Sequence, residues 1–431
     1  MHVILIIYLQ EVTLIKYFTV ENFRSIKNES VLEFDVNLKK GIACPAHPLI
    51  GLAGANASGK TALLQALSFV FWFLKDSFLT QEPDEEIPLD AFCTQKHLPT
   101  RFLMIFSHNT LIENQKKRID YEYQLCINKE KVLSESLHYS HQNAERQCAY
   151  IREDKTVKFG EQISKISTSG LRQNSSIISY AAQDDTQVIA KSCKEYIVHS
   201  NVSHGGFREE HFKPQRLEKM IEDEYFQTRL PAFLPIADVG IETVALKKAD
   251  EEELNKLLAA LQNLDDENKE RLPEKLLDML QTKTEFDRKQ LVFTHQIEGH
   301  LIDFSSPERE SAGTLQFLIL LYRILSTLEN GHLLILDEIE LKLHQNLIAF
   351  LIGLFQNPDE NSNCAQLIFS FHNAAFMELL MPEQLWFAEK NDEGQTELFS
   401  AADFQDIKDL HQKNLEKLYR LGRFGATPRG L

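Results

Sequence analysis

The chain has 431 residues, 43% of them hydrophobic and 25% charged, with a formal net charge of −17. That length can bury a large core in one big domain with insertions or in two domains, and the composition is that of an ordinary soluble protein. The charge argues against a surface that binds nucleic acid everywhere, leaving room for a local basic groove, and six cysteines without C-x-x-C spacing fit reduced thiols better than a disulfide framework or a zinc site.

The apolar start, residues 3–9, is too short to span a bilayer and has neither a basic leader nor a cleavage site, so it reads as a first strand or a mobile extension. No other run reaches transmembrane length, and the expected location is the cytoplasm. Alternation and β-branched content predict strands at 15–20, 30–34 and 48–53. The last of these runs into Gly54-Ala55-Asn56-Ala57-Ser58-Gly59-Lys60-Thr61, after which a helix is expected from Thr61 through Phe73, ending near Asp76. An acidic, proline-containing loop at 83–88 leads to strands at 101–106 and 120–125, read as an antiparallel pair turning near Glu113-Asn114.

From about Gln162 to Gln290 the pattern changes to helices and polar connections. The charge at 251–258 and 269–277 reads as solvated helix faces; Pro273 breaks the run and no heptad persists, so a long coiled coil is not expected. After Gln290 come a hairpin at 292–295 and 300–304, a helix at 313–328, a buried strand at 332–336, a helix from Leu343 and a strand at 366–370. The fold class is therefore α/β, a P-loop nucleotide fold with a mixed sheet plus an inserted helical module: 1–160 and 291–431 as the two halves of the nucleotide domain, 161–290 as the insertion.

Residues 54–61 fit G-x-x-x-x-G-K-[ST] without a mismatch, between a short buried strand and a helix, as the phosphate-cradling mechanism requires. Gly54 and Gly59 let backbone N–H groups turn toward phosphates, with Asn56 and Ser58 in the same loop; Lys60 reaches the β and γ oxygens, and the Thr61 hydroxyl can sit on Mg²⁺. The plainer alternative is a glycine turn that matches by chance. Leu333-Leu334-Ile335-Leu336-Asp337-Glu338 is an apolar strand ending in two acids: Asp337 is placed to hold Mg²⁺ and Glu338 to polarise an attacking water, unless the acids merely terminate a core strand. His372 follows a third apolar strand, where a histidine can touch a γ-phosphate, though a lone histidine is more often structural. Ser311 and Gly313 open a helix and make a second anion site, which in a head-to-tail dimer would meet the nucleotide bound by the other subunit; an ordinary helix cap explains Ser311 equally well.

These motifs, in this order, resemble the ABC-type ATPases related to SMC and DNA-repair ATPases, and within them the RloA-like and OLD-like bacterial anti-phage or abortive-infection ATPases, with PtuA-type relatives. Asn22-Phe23-Arg24-Ser25-Ile26 looks like the family's opening N-F-R-S-I, 54–61 like its Walker A loop, Ala237-Asp238-Val239-Gly240-Ile241 like A-D-x-G-I, 310–314 like E-S-x-G-T, Leu336-Asp337-Glu338 like Walker B, and Phe371-His372-Asn373 like the switch T-H-N. The tail residues 384–390 and 419–428 resemble Q-x-W-F-x-E-K and Y-x-x-G-R-[FY]-G-A-x-P. The resemblance implies ATP and Mg²⁺ as cofactors and an ATPase activity producing ADP and phosphate. It implies a homodimer, or a higher homo-oligomer, built from ATP-sandwich dimers with Ser311 acting across the interface and Arg24 near the nucleotide.

Departures from the family pattern are Ala312 where Asp is common and Lys342-Leu343-His344-Gln345 where S-L-H-P is common, so slow hydrolysis or altered communication between subunits is expected; Gln95 is a weak candidate for the Q-loop glutamine. No D-x-D pair occurs, so a fused Toprim nuclease is not expected. The resemblance to RloA-type and PtuA-type ATPases implies that the effector, such as a nuclease, is a separately encoded protein that this subunit senses for and controls, triggered by nucleic acid or a phage protein, with no membrane involved. The alternatives are an SMC-like repair or maintenance ATPase that clamps DNA, and a non-hydrolysing ATP-dependent scaffold.

Overall fold

The structure, a computed structural model, describes residues 14–34, 46–112, 115–141, 145–160, 167–183, 201–202, 214–237, 240–248, 289–304, 310–340 and 343–426. The readings made for residues 3–9, 113–114, 251–258 and 269–277, and for Asp238 and Lys342, fall outside the described residues. The chain divides into two compact units, Met1–Gly206 with Arg323–Leu431, and Phe207–Tyr322.

In the first unit, continuous apolar runs make strands covered on both faces. Leu49–Ala53, Leu333–Leu336 and Gln366–Ser370 are buried at every position. They lie in a sheet that has six strands among the described residues, in the order Thr396–Ser400, Leu385–Lys390, Leu49–Ala53, Gln366–Ser370, Leu333–Leu336, Asn201–Val202. All neighbours are parallel except Thr396–Ser400, which returns antiparallel beside Leu385–Lys390. Parallel register sends the carboxyl ends of three strands to one edge, and with them the residues that follow Ala53, Leu336 and Ser370.

A second sheet is antiparallel, with the order Ser30–Glu33, Leu14–Glu21, Thr100–Ile112, Gln115–Ile127, Val132–His141, Gln147–Glu153, Thr156–Phe159. The antiparallel pair expected at 101–106 and 120–125 forms and is longer, pairing through Ile112 opposite Gln115. The strands near 15–20 and 30–34 also form, but they pair with this sheet and not with the strand that carries the phosphate loop. Their mixed burial suits a sheet with one covered face, whereas the loop-bearing strand needs cover on both.

The helix Lys60–Thr80 is apolar nearly all round and runs past the expected end near Asp76. It is long and apolar enough by composition to cross a membrane, but 67% of that stretch is buried within the protein. A helix with apolar residues on every side needs cover on every side. Here Leu63, Leu67, Val70 and Phe73 share one core cluster with Phe18, Phe102 and Met104 of the antiparallel sheet and with Ile50, Ile335 and Ile368 of the parallel one. Each fully buried side chain of this size contributes about 1.5–3 kcal/mol.

The second unit is not wholly helical in its described part. Helices Pro214–Glu222 and Glu224–Phe233 accompany a three-stranded antiparallel sheet of Ile241–Lys248, Lys289–Ile297 and His300–Phe304. The hairpin after Gln290 forms, with Ile297 opposite His300. Its outer partner Ile241–Lys248 was expected as helix or connection; the β-branched Ile241, Thr243 and Val244 favour extended backbone, and Ile241 and Val244 are buried. This unit overlaps the expected insertion over 207–290 and takes in the hairpin as well.

Candidate functional site

The loop after Leu49–Ala53 can be made only with glycine at two places. Gly54 and Gly59 have φ of +143° and +115°, and a Cβ on them would lie 2.3 Å from the Ala388 carbonyl oxygen and 2.1 Å from Thr396 Oγ1. Lys60 opens the helix yet is only 5% exposed. Its Nζ donates to the Gly54 carbonyl at 2.7 Å and the Ala55 carbonyl at 3.0 Å. Burial pushes the Lys60 ammonium below the usual lysine range, while Asp337, Glu340 and Glu338 pull the other way. The Ser58 hydroxyl is buried and has no partner, so the loop holds an uncommitted donor among its turned backbone groups.

Parallel pairing sets Asp337 beside the start of that helix. Thr61 Oγ1 donates to Asp337 Oδ2 at 2.8 Å, and the Ser370 hydroxyl donates to Asp337 Oδ1. Ser370 also accepts the Glu338 N–H at 2.7 Å. That bond holds a sharp turn, since Glu338 is left-handed at φ +53°, a conformation costing a non-glycine residue about 1–2 kcal/mol. The turn swings Glu338 toward the neighbouring strand's end, where His372 Nε2 lies 3.5 Å from Glu338 Oε1. The backbone N–H of His372 donates to Glu340 Oε1, and Glu340 Oε2 is buried without a partner.

Among the described residues no group of three or more His, Cys, Asp or Glu could hold a metal by itself. The hydroxyl of Thr61 and the carboxylate of Asp337 are nonetheless hard oxygen donors held together, which suits Mg²⁺, an ion that keeps several waters and takes its remaining ligands from phosphates.

A cavity of about 620 Å³ joins these elements. Its lining includes Asn56, Ser58, Gly59, Lys60 and Thr61 from the loop, Asp337 and Glu338 from the strand end, and His372. Gly54 stands behind it as the acceptor for Lys60. Arg24 reaches the cavity from a tight turn in the antiparallel lobe. Asn22 and Arg24 are both left-handed, at φ +55° and +50°. The Asn22 side chain braces the turn, donating to the Leu98 carbonyl at 2.9 Å and the Pro99 carbonyl at 3.1 Å and accepting the Phe92 N–H at 3.1 Å.

Ser25, Glu340 and Gln65 are polar residues of the lining to which the sequence assigned no role. Glu340 stands two residues beyond Glu338 and could have been included on spacing alone. The glutamine that reaches the cavity is Gln65, with a buried, unpartnered Oε1, whereas Gln95 is absent from the lining and offers its backbone carbonyl to Asn22 at 3.2 Å.

Ser311 and Gly313 lie in the second compact unit, at the start of the helix Ala312–Asn330. Ser311 Oγ accepts the Thr314 N–H at 3.0 Å, which is helix-cap geometry. Glu310 Oε1 lies 2.8 Å from His295 Nε2. Gln345, which stands where proline is common in the resembled family, accepts a hydrogen bond from Asn373 Nδ2 at 3.0 Å, linking the helix Gln345–Gln356 to the residue after His372.

The protein family described as "AAA domain, putative AbiEii toxin, Type IV TA system" matches residues 49–378, from the strand before the phosphate loop to beyond His372. The chain belongs to this family. No curated protein matches its sequence. Solved structures similar to this family member include the SMC head domain from Thermotoga maritima, at 11% identity and a TM-score of 0.39 over 90% of this chain and 98% of that one. An SMC head bound to the C-winged helix domain of ScpA aligns at 12% identity and a TM-score of 0.42, covering 90% and 97%. The recombination mediator RecF with ATP aligns at 13% identity and a TM-score of 0.33, covering 91% and 99%.

Proposed function

We propose that this protein binds ATP with Mg²⁺ in the cavity and hydrolyses it slowly as an ABC-type, SMC-like ATPase. We further propose that it is the sensor or regulatory subunit of a bacterial anti-phage system and controls a separately encoded nuclease. The observation that carries the nucleotide part is the convergence of buried Lys60, the Thr61–Asp337 contact at 2.8 Å and the Glu338–His372 pair at 3.5 Å in one cavity. Lys60, now donating to two loop carbonyls, would turn those donors to β and γ oxygens, and the Ser58 hydroxyl would find an acceptor. Mg²⁺ held at Thr61 and Asp337 would neutralise charge on the phosphates. Glu338 would take the proton of the attacking water, and His372 beside it would contact the γ-phosphate.

In this reading Ser311 and Gly313 act in trans, across a head-to-tail dimer assembled on ATP. The regulatory part is supported by the motif resemblance and by the family's description, which sets the domain in a toxin–antitoxin context, an arrangement of paired components. The protein then works in the cytoplasm and responds to nucleic acid or a phage protein.

Turnover and equilibrium binding of Mg²⁺-ATP test the enzyme part. Glu338→Gln should bind ATP within about threefold of wild type and turn over at least about 100-fold more slowly, while Lys60→Ala should lose binding. Equal, negligible turnover in wild type and Glu338→Gln, with ATP still driving assembly, would replace the enzyme by a scaffold. Co-purification with the product of the adjacent gene tests the effector; a protein that acts alone would remove that part. DNA binding that strengthens with ATP and weakens with salt would move the reading to a DNA clamp.

A further inference from the structure

Thr396 belongs to the outer strand Thr396–Ser400 and is absent from the cavity lining, yet it bonds to both a wall and the floor of the cavity. It is 3% exposed. Its N–H donates to the Ser25 carbonyl at 2.8 Å, its Oγ1 lies 2.8 Å from Ser25 Oγ, and the same hydroxyl donates to the Ser58 carbonyl at 2.9 Å. With its one proton committed to Ser58, Thr396 must accept from Ser25. Thr396 thus holds the turn bearing Arg24 and Ser25, in the antiparallel lobe, by its N–H and its hydroxyl, and the hydroxyl alone carries that hold on to the phosphate loop, which hangs from the parallel sheet. The link is also steric: bare Gly59 is what lets Thr396 come this close, a Cβ there falling 2.1 Å from its Oγ1. On its far side the turn is tied by the Arg24 N–H to the Asp90 carbonyl at 2.6 Å.

We infer that Thr396 is a positioning residue for the nucleotide: its hydroxyl holds Arg24 at a set distance from the phosphate loop, so what Arg24 contributes to binding depends on Thr396. This rests on the reading that the cavity takes ATP. Removing the hydroxyl while keeping the branched shape leaves the Ser58 carbonyl and the Ser25 hydroxyl without their partner and lets the two sides drift apart.

The experiment is a double-mutant cycle read as the dissociation constant of Mg²⁺-ATP. Thr396→Val should weaken binding about tenfold, the loss of one well-placed link. Thr396→Ser, which restores the hydroxyl, should stay within about twofold of wild type. In an Arg24→Ala background Thr396→Val should cost less than about twofold more. A fold loss from Thr396→Val that is the same with and without Arg24 would overturn the inference, as would wild-type affinity in Thr396→Val. If Thr396→Val does not fold, Thr396→Ala, which removes the same hydroxyl without setting a methyl group against the Ser58 carbonyl, is run through the same cycle with the same criteria. Wild type that binds no ATP would instead defeat the ATPase reading itself.

Discussion

A side chain at Gly59 would have to enter the space of the Thr396 hydroxyl while holding φ at +115°. Gly59→Ala should therefore lower stability by about 2 kcal/mol or more, from backbone strain and overpacking together. Thermal denaturation reads this directly, and an unchanged melting temperature would show that the loop and the outer strand separate freely. The phosphate loop and the acids after Leu336 were legible in the sequence because their chemistry needs neighbouring residues in one short stretch. Ser370 and Thr396 were not. Each is an ordinary residue type whose part comes from where another strand puts it: Ser370 holds Asp337 and the Glu338 turn from 33 and 32 positions away, and Thr396 reaches Ser58 across 338.

Among the elements, the strands Val132–His141 and Gln147–Glu153 carry a buried ion pair that periodicity did not announce. Glu135 and Arg152 are each 1% exposed and approach to 3.5 Å. Glu135 accepts the Tyr150 hydroxyl at 2.9 Å and the Ile177 N–H at 3.1 Å, and Arg152 donates to the carbonyls of Ser175 at 2.7 Å and Arg172 at 3.0 Å. Burial pushes the Glu135 carboxyl up, with Arg152 pulling it back. The pair pins the segment around 172–177 against the sheet. Arg152→Met should cost about 3–5 kcal/mol because it strands a buried carboxylate, and adding Glu135→Gln should recover part of that. Chemical denaturation of the single and double variants decides; a loss below about 1 kcal/mol in Arg152→Met would mean the carboxyl finds other compensation. Long apolar runs such as Leu333–Leu336 and Gln366–Ser370 were read correctly since burial on both faces leaves an unbroken signature. Ile241–Lys248 was missed because its apolar residues, Ile241 and then Val244, Ala245 and Leu246, do not alternate with polar ones, and its partners lie about 50 residues on, at Lys289–Ile297.

For the whole molecule, the proposed dimer is the level at which Ser311 matters. Ser311 is exposed at the head of its helix, so Ser311→Arg should leave the fold and ATP binding by the single chain within about threefold of wild type while abolishing ATP-induced dimerisation and turnover. Light scattering with and without Mg²⁺-ATP measures it; a variant that still dimerises on ATP would confine Ser311 to its capping bond with Thr314. The net charge of −17 makes the chain repel its own copies, so added salt up to about 0.15 M should favour the dimer by screening.

The sequence by itself determined the α/β class, the phosphate loop with Lys60 and Thr61, and the acids at Asp337 and Glu338, because each is set by local pattern: a buried run, a glycine turn, a helix start. Only the tertiary structure decided that the first strands build a separate antiparallel lobe, and that this lobe is what carries Arg24, already expected near the nucleotide from the motif resemblance, to the cavity. It likewise decided that Ser370 and Thr396 bond to residues already visible in the chain. Those outcomes depend on which strands pair, and pairing is fixed by burial and register over hundreds of residues, which no local window contains.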